Sequence, residues 1–221
     1  MRSEPDSALH SDAANPSRRE QILRAAAQLF AERGSRAVGV DDIGAAVGVT
    51  GPAIYRHFAS KDAMLAEMLV RISERLLAGG AERIAAAGDS PAAQLHALVD
   101  FHVDFALDNP ALITVQDRDL GALNERDAHQ VRRLQRRYVE EWVAVIGRLH
   151  PEASTAACRA RAHAVFGLIN STPHSAGRLA RQAMAALLAQ MAVAAVMTSG
   201  EPCSPAPGRG PSSAGAVDRR E

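Results

Sequence analysis

Residues 40–62 read VDDIGAAVGVTGPAIYRHFASKD. Val40, Ile43, Ala46 and Val47 recur at i, i+3, i+6 and i+7, so a first helical segment over residues 41–47 carries them on one face. Gly48 then stands where a chain leaves a helix through the left-handed region, which a residue without Cβ enters freely. Val49 is apolar and suits the inside of the turn. Thr50 is a good N-cap for a second segment, its hydroxyl expected to accept an orphan N–H. Pro52 falls in that segment's first turn, where a missing N–H costs little. Ile54 and Phe58, spaced i, i+4, are expected to dock it on the first. Two short helices, a tight turn with Gly and apolar residues on the inner side only make a helix-turn-helix.

In such a motif the N-terminal end of the second helix meets base edges. Here that tip is Thr50, Gly51, Pro52 and Ala53, all small, followed by Tyr55, Arg56 and His57. Val40 heads the first segment. Ser60 and Lys61 open a further helix, and Lys61, the chain's only lysine, is placed where a helix N-terminus favours a phosphate. Upstream, Ser17 with Glu20 three residues on forms a capping box for a helix running to Arg33 and ended by Gly34. Its apolar stripe is Ile22, Leu23, Ala26, Leu29 and Phe30. Arg18 and Arg19 at its start are either phosphate contacts or solvated charges.

The stretches ILRAAAQLFAERG (22–34), VDDIGAAVGV (40–49) and IYRHFASKDAML (54–65) resemble the DNA-binding domain of the TetR family of transcriptional regulators. The tyrosine-x-x-phenylalanine followed by Ser-Lys is the most specific piece. The resemblance implies an all-α fold, a homodimer, double-stranded operator DNA as partner, and a small-molecule effector held in the C-terminal part. One departure stands out: where the family usually has Thr ahead of its second helix, this chain has Gly39, without the hydroxyl. The segment GVTGPAIYRHFASKDAML (48–65) also looks like regulators of lipid and acyl-thioester breakdown in high-GC bacteria. That implies a repressor released by a small apolar effector of the fatty-acyl or acyl-thioester kind.

The 221 residues carry no formal net charge, so no whole-molecule field draws the chain to nucleic acid. The local balance over 17–61 is cationic: Arg18, Arg19, Arg24, Arg33, Arg36, Arg56 and Lys61 against Glu20, Glu32, Asp41 and Asp42. Cys158 and Cys203 lack the spacing of a zinc knuckle or a disulfide framework. The polar start reads as no signal peptide, and no run of eighteen apolar residues occurs, so a cytoplasmic protein is expected. The organisation expected is a disordered arm over 1–16, a helix-turn-helix domain over 17–62, an effector-binding and dimerisation domain over 63–199, and a disordered tail over 200–221.

From Ser60 onward every periodic stretch is helical. A helix capped by Ser60 runs through Met64, Leu65, Met68, Leu69, Ile72 and Leu76, and either frays at Gly79-Gly80 or continues to Ala87. Further helices are expected at 91–108, 111–120, 125–149, 154–169 and 175–198. An effector pocket between them is expected from Phe101, His102, Phe105, Val115, Tyr138, Trp142, Phe166 and Asn170, any of which could equally be core. The two last helices are alanine-rich with wide apolar faces. Val165, Phe166, Ile169, Leu179, Met184, Leu187, Leu188 and Met191 are expected either to form a two-fold four-helix bundle with a second copy or to close the monomer core.

No catalytic motif appears, and neither a cofactor nor a metal is expected. The alternative of a ligand-binding or metal-dependent enzyme rests on two clusters. His96, Asp100, His102 and Asp104 share one helix but do not converge on one face. Arg132, Arg133, Arg136 and Arg137 suit phosphate or carboxylate, or pairing with Asp117, Asp119, Glu125 and Asp127, which is the preferred reading.

Overall fold

The computed structural model describes residues 17–175 and 179–198. Within them the chain forms α1 (Arg18–Arg33), α2 (Val40–Ala46), α3 (Gly51–Ile54), α4 (Lys61–Ala86), α5 (Pro91–Asp108), α6 (Pro110–Asp119), a 3-10 turn (Leu120–Ala122), α7 (Glu125–Leu149), α8 (Thr155–Ile169), α9 (Thr172–Ser175) and α10 (Arg181–Met197). The fold is all-α, as the periodicity requires. The arm over 1–16 and the tail over 200–221 lie outside the described residues.

Helix starts follow the cap chemistry. Glu20 N donates to Ser17 Oγ at 3.3 Å while Ser17 N donates to Glu20 Oε2 at 2.9 Å, a complete capping box. Ser60, Ser90, Asn124 and Ser154 accept from the N–H of Ala63, Ala93, Asp127 and Ala157 in the same way. Three details of the sequence reading change. Thr50 takes the extended backbone of an N-cap, yet its hydroxyl makes no capping bond. Ala46 is exposed, and the inward face of α2 is built on Ile43 and Gly44. The last helix begins at Arg181 rather than 175, with residues 176–178 outside the described set.

α4 passes through Gly79-Gly80 without a break. A Cβ on Gly79 would stand 2.2 Å from the Phe101 ring, and one on Gly80 would stand 2.6 Å from the Tyr138 ring. Those two positions are bare because α5 and α7 lay aromatic rings directly on the α4 backbone. α4 packs along α5 and α7, α8 lies beside α7, and α10 closes over α5 and α8. One continuous core runs from Ile22 and Phe30 through Leu69 and Leu98 to Trp142, Ile146 and Val196. Among the described residues no helix is long and apolar enough to cross a membrane.

The second half touches the helix-turn-helix in two ways. α4 holds the first domain through Lys61, which donates to Val38 O, and Glu67, which pairs with Arg19 of α1. α6 packs on α1, where the Arg118 guanidinium donates to the carbonyls of Phe30 and Ala31, the latter at 3.1 Å. Both belong to the last turn of α1, where the Phe30 carbonyl also accepts from Gly34 N at 2.8 Å. Asp119, next in sequence, accepts from Ser35 Oγ at 2.8 Å. α6 is thus a second connection to the helix-turn-helix beside α4.

Candidate nucleic-acid interface and effector cavity

The reader is built by close approach. Gly48 turns the chain with φ +70°, and Val49 N returns to Gly44 O at 2.9 Å. Gly51 is buried, and a Cβ there would fall 2.0 Å from Asp41 Oδ1. Gly51 therefore seats α3 on α2 and is not part of the outward face expected for it. Ile54 and Phe58 are buried beneath α3. The outward surface holds Thr50, Pro52, Ala53, Tyr55 and Arg56, with Tyr55 57% exposed. Val40 and His57 are half-buried at its margin. At Gly39 the lost threonine is partly replaced: Asp42 Oδ2 accepts from Gly39 N at 2.7 Å.

Three cations placed here by the sequence are used inside the domain. Arg19 lies 4.1 Å over the Phe58 ring, pairs with Glu67 and donates to the His57 carbonyl. It ties α1, α4 and the end of the α3 turn together. Its guanidinium is held by partners within the domain rather than standing as a purely solvated charge. Arg18 donates to Val47 O at 2.8 Å, closing the C-terminus of α2. Lys61 Nζ donates to Val38 O at 2.9 Å and bridges the α1–α2 loop to the head of α4.

A cavity of about 200 Å³ lies between α4 (Ser73, Leu76), α5 (His102), α6 (Gln116), α7 (Gln135, Tyr138, Val139) and α8 (His163, Phe166), with Asn170 at its end. His102 Nδ1 is 3.1 Å from Tyr138 Oη, and its Nε2 is 3.2 Å from Asn170 Oδ1. The Asn170 carbonyl only accepts, so Nε2 carries the proton and Nδ1 accepts from the tyrosine. Burial lowers the imidazole to about 4 against an ordinary 6.5, opposed by the Asn170 hydrogen bond. Burial likewise pushes the Tyr138 hydroxyl upward, so it stays a donor. His102 stacks on Phe166 at 5.0 Å, and fully buried Trp142 meets Phe166 edge-on at 5.0 Å.

The sequence candidates divide accordingly. His102, Tyr138, Phe166 and Asn170 line one cavity with Trp142 behind them. Phe101 instead lines an outer recess with Asp100, Asp104 and Arg83. Phe105 lines a separate hollow of about 520 Å³ between α1, α4 and the start of α6. Val115 is plain core. Gln116, Gln135, Ser73 and His163 escaped the sequence reading because which polar side chains of a helix meet a cavity depends on how the helices pack.

The interface list also divides. Val165, Ile169, Met184 and Leu188 are buried inside this chain, and Phe166 belongs to the cavity, whereas Leu179, Leu187 and Met191 are 43–48% exposed. Asp100 is exposed and turned away from His102, and Asp104 pairs with Arg181 at 3.1 Å. Arg132, Arg133, Arg136 and Arg137 are exposed on the outer face of α7, and among the described residues none pairs with an acid as expected. No group of three metal-ligating side chains converges among the described residues.

Residues 22–68 match the model of "Bacterial regulatory proteins, tetR family", and residues 88–196 match the "Tetracyclin repressor-like, C-terminal domain". The chain belongs to the TetR family. The transcriptional repressor KstR2 of Rhodococcus jostii is 34% identical over 131 residues, 58% of this chain and 63% of that one. The transcriptional activator FasR of Mycolicibacterium smegmatis is 35% identical over 88 residues, 40% of each chain. The chain thus spans less than two thirds of the curated relatives it matches. A TetR-family regulator from Bordetella parapertussis shares the fold with TM-score 0.72 and 22% identity, covering 80% of this chain and 95% of that one. A TetR-family assignment places the chain among regulators rather than enzymes, and neither enzyme cluster assembles in the fold.

Proposed function

We propose that the chain is a homodimeric regulator that binds operator DNA through Thr50, Pro52, Ala53, Tyr55 and Arg56. In this reading it is a repressor that releases DNA when a small molecule fills the cavity at His102. One observation carries the reading. Within a single turn of α6, Gln116 reaches the cavity and Arg118 and Asp119 hold α1 and Ser35. Ser73 and Leu76 of α4 line the same cavity, so an occupant touches both connections to the reader. Half-sites one turn apart need recognition helices about 34–36 Å apart, and small tilts of α4 and α6 change that spacing. The exposed row of Leu187 and Met191 on α10, beside Ala160, Ala164 and Gly167 exposed on α8, supports a two-fold bundle with a second copy. Likeness to a KstR2 repressor supports the sign of regulation.

The test is binding of the full chain to DNA upstream of its own gene. Tyr55→Ala is expected to abolish specific binding while leaving thermal stability unchanged, since its ring is mostly in solvent. A cavity ligand must lower DNA affinity by the same factor by which DNA lowers ligand affinity. Tyr55→Ala with full operator affinity removes α3 from the interface, and equal ligand affinity with and without operator removes that ligand as effector.

A further inference from the structure

We infer that the His102 cavity takes an uncharged, flat ligand group carrying one hydrogen-bond acceptor and one donor, an amide or lactam of a single ring rather than a carboxylate. The inference rests on the effector reading above and narrows it to a chemical class.

Among the described residues the lining contains no Asp, Glu, Lys or Arg. A charge brought to the His102 end would lose its water without gaining a counter-charge, an unfavourable way to bury an ion, since the other lining imidazole, His163, is exposed at the cavity's margin. His102 does not supply a cation, because burial keeps the imidazole neutral at ordinary pH. A fatty acid's carboxylate is thereby excluded. The acyl thioester implied by the sequence resemblance enters only by its uncharged carbonyl.

The polar groups on offer are specific. Tyr138 and His102 spend their protons on His102 and Asn170. This leaves the Asn170 amide N–H groups, which make no hydrogen bond among the described residues. Gln116 Oε1 is buried with no hydrogen-bond partner among the described residues. Buried acceptors are nearly always satisfied, and an exception inside a cavity marks a missing donor. A ligand that accepts from Asn170 and donates to Gln116 completes both.

Shape narrows the class further. The rings of His102, Tyr138 and Phe166 lie within 12–30° of one another, with centroids 5.0–5.7 Å apart. Near-parallel rings of this kind favour a planar group that extends their stack. At about 200 Å³, the space is below the roughly 300–1,000 Å³ of drug-sized pockets, so one ring fits.

Benzamide and benzoate are the probes, matched in shape and differing in charge and donor. Calorimetry and Trp142 fluorescence on the full chain are expected to show saturable benzamide binding and benzoate at least a hundredfold weaker. Gln116→Leu removes an unpaired acceptor and an amide NH2 that makes no hydrogen bond among the described residues, so it is expected to fold with undiminished stability and bind benzamide at least tenfold more weakly. Benzoate binding as tightly as benzamide, no benzamide binding, or wild-type benzamide affinity in Gln116→Leu each overturn the inference. Operator affinity is read in parallel. Benzamide that binds as expected without weakening DNA binding refutes the effector reading but not the ligand chemistry. Benzoate that binds and releases DNA does the reverse.

Discussion

Replacing His102 by Gln is expected to flatten the acid limb of the stability curve. The folded imidazole titrates at about 4 and the ordinary one at 6.5. Between those values the unfolded chain binds a proton that the folded chain refuses, so stability falls as pH drops through 6.5 and the loss levels off near 4. Integrated over that window, the imidazole alone removes about 2.5 kcal/mol of stability between pH 7 and pH 4.5. The carboxyls of Asp117 and half-buried Glu141, both pushed upward by partial desolvation, act with the opposite sign. They are common to both proteins and cancel in the comparison. Gln carries no titrating proton and retains a donor and an acceptor for Tyr138 and Asn170. The assay is urea unfolding at fixed protomer concentration, followed by far-UV circular dichroism, at the two pH values. The wild type is expected to lose about 2.5 kcal/mol more than H102Q. Parallel pH profiles would refute a buried, neutral His102.

Arg19→Met is expected to cost about 1–2 kcal/mol, since it removes charge-assisted bonds to Glu67 and His57 at a partly exposed site. It should weaken operator binding without changing the salt slope; a slope smaller by about one would put Arg19 on a phosphate. Leu187→Arg is expected to give folded monomers by light scattering at micromolar concentration, whereas Met184→Arg, inside the chain, is expected to prevent folding. A Leu187→Arg dimer would move the interface elsewhere. Gly79→Ala forces a methyl against the Phe101 ring and is expected to destabilise by about 1–3 kcal/mol in thermal unfolding. An unchanged midpoint would mean that the ring is free to leave.

Much of the fold is local and therefore legible. Ser17 with Glu20, and the caps at Ser60 and Ser90, announce their helices within four residues. The helix-turn-helix follows from Ile43, Gly48, Ile54 and Phe58 alone. The cavity is half legible: His102 and Asn170 stand out as polar residues in apolar surroundings, but which rings meet them depends on helix order. Charges mislead most. Arg19 finds Glu67 48 residues away, a pairing no local pattern encodes. α10 is apolar on every side, so periodicity cannot tell Leu188, facing in, from Leu187, facing out.

The two bare positions on α4 have a mechanical consequence. Helices normally pack ridge into groove, and moving one past another means lifting side chains from one slot to the next. At Gly79 and Gly80 the helix offers no ridge, and the faces of Phe101 and Tyr138 rest on smooth backbone. Such a contact is a plain bearing: it resists separation but offers little resistance to small rotation or axial slip. The helix that holds the reader at its head rests on aromatic pads toward its far end, and one pad, Tyr138, is also a wall of the cavity.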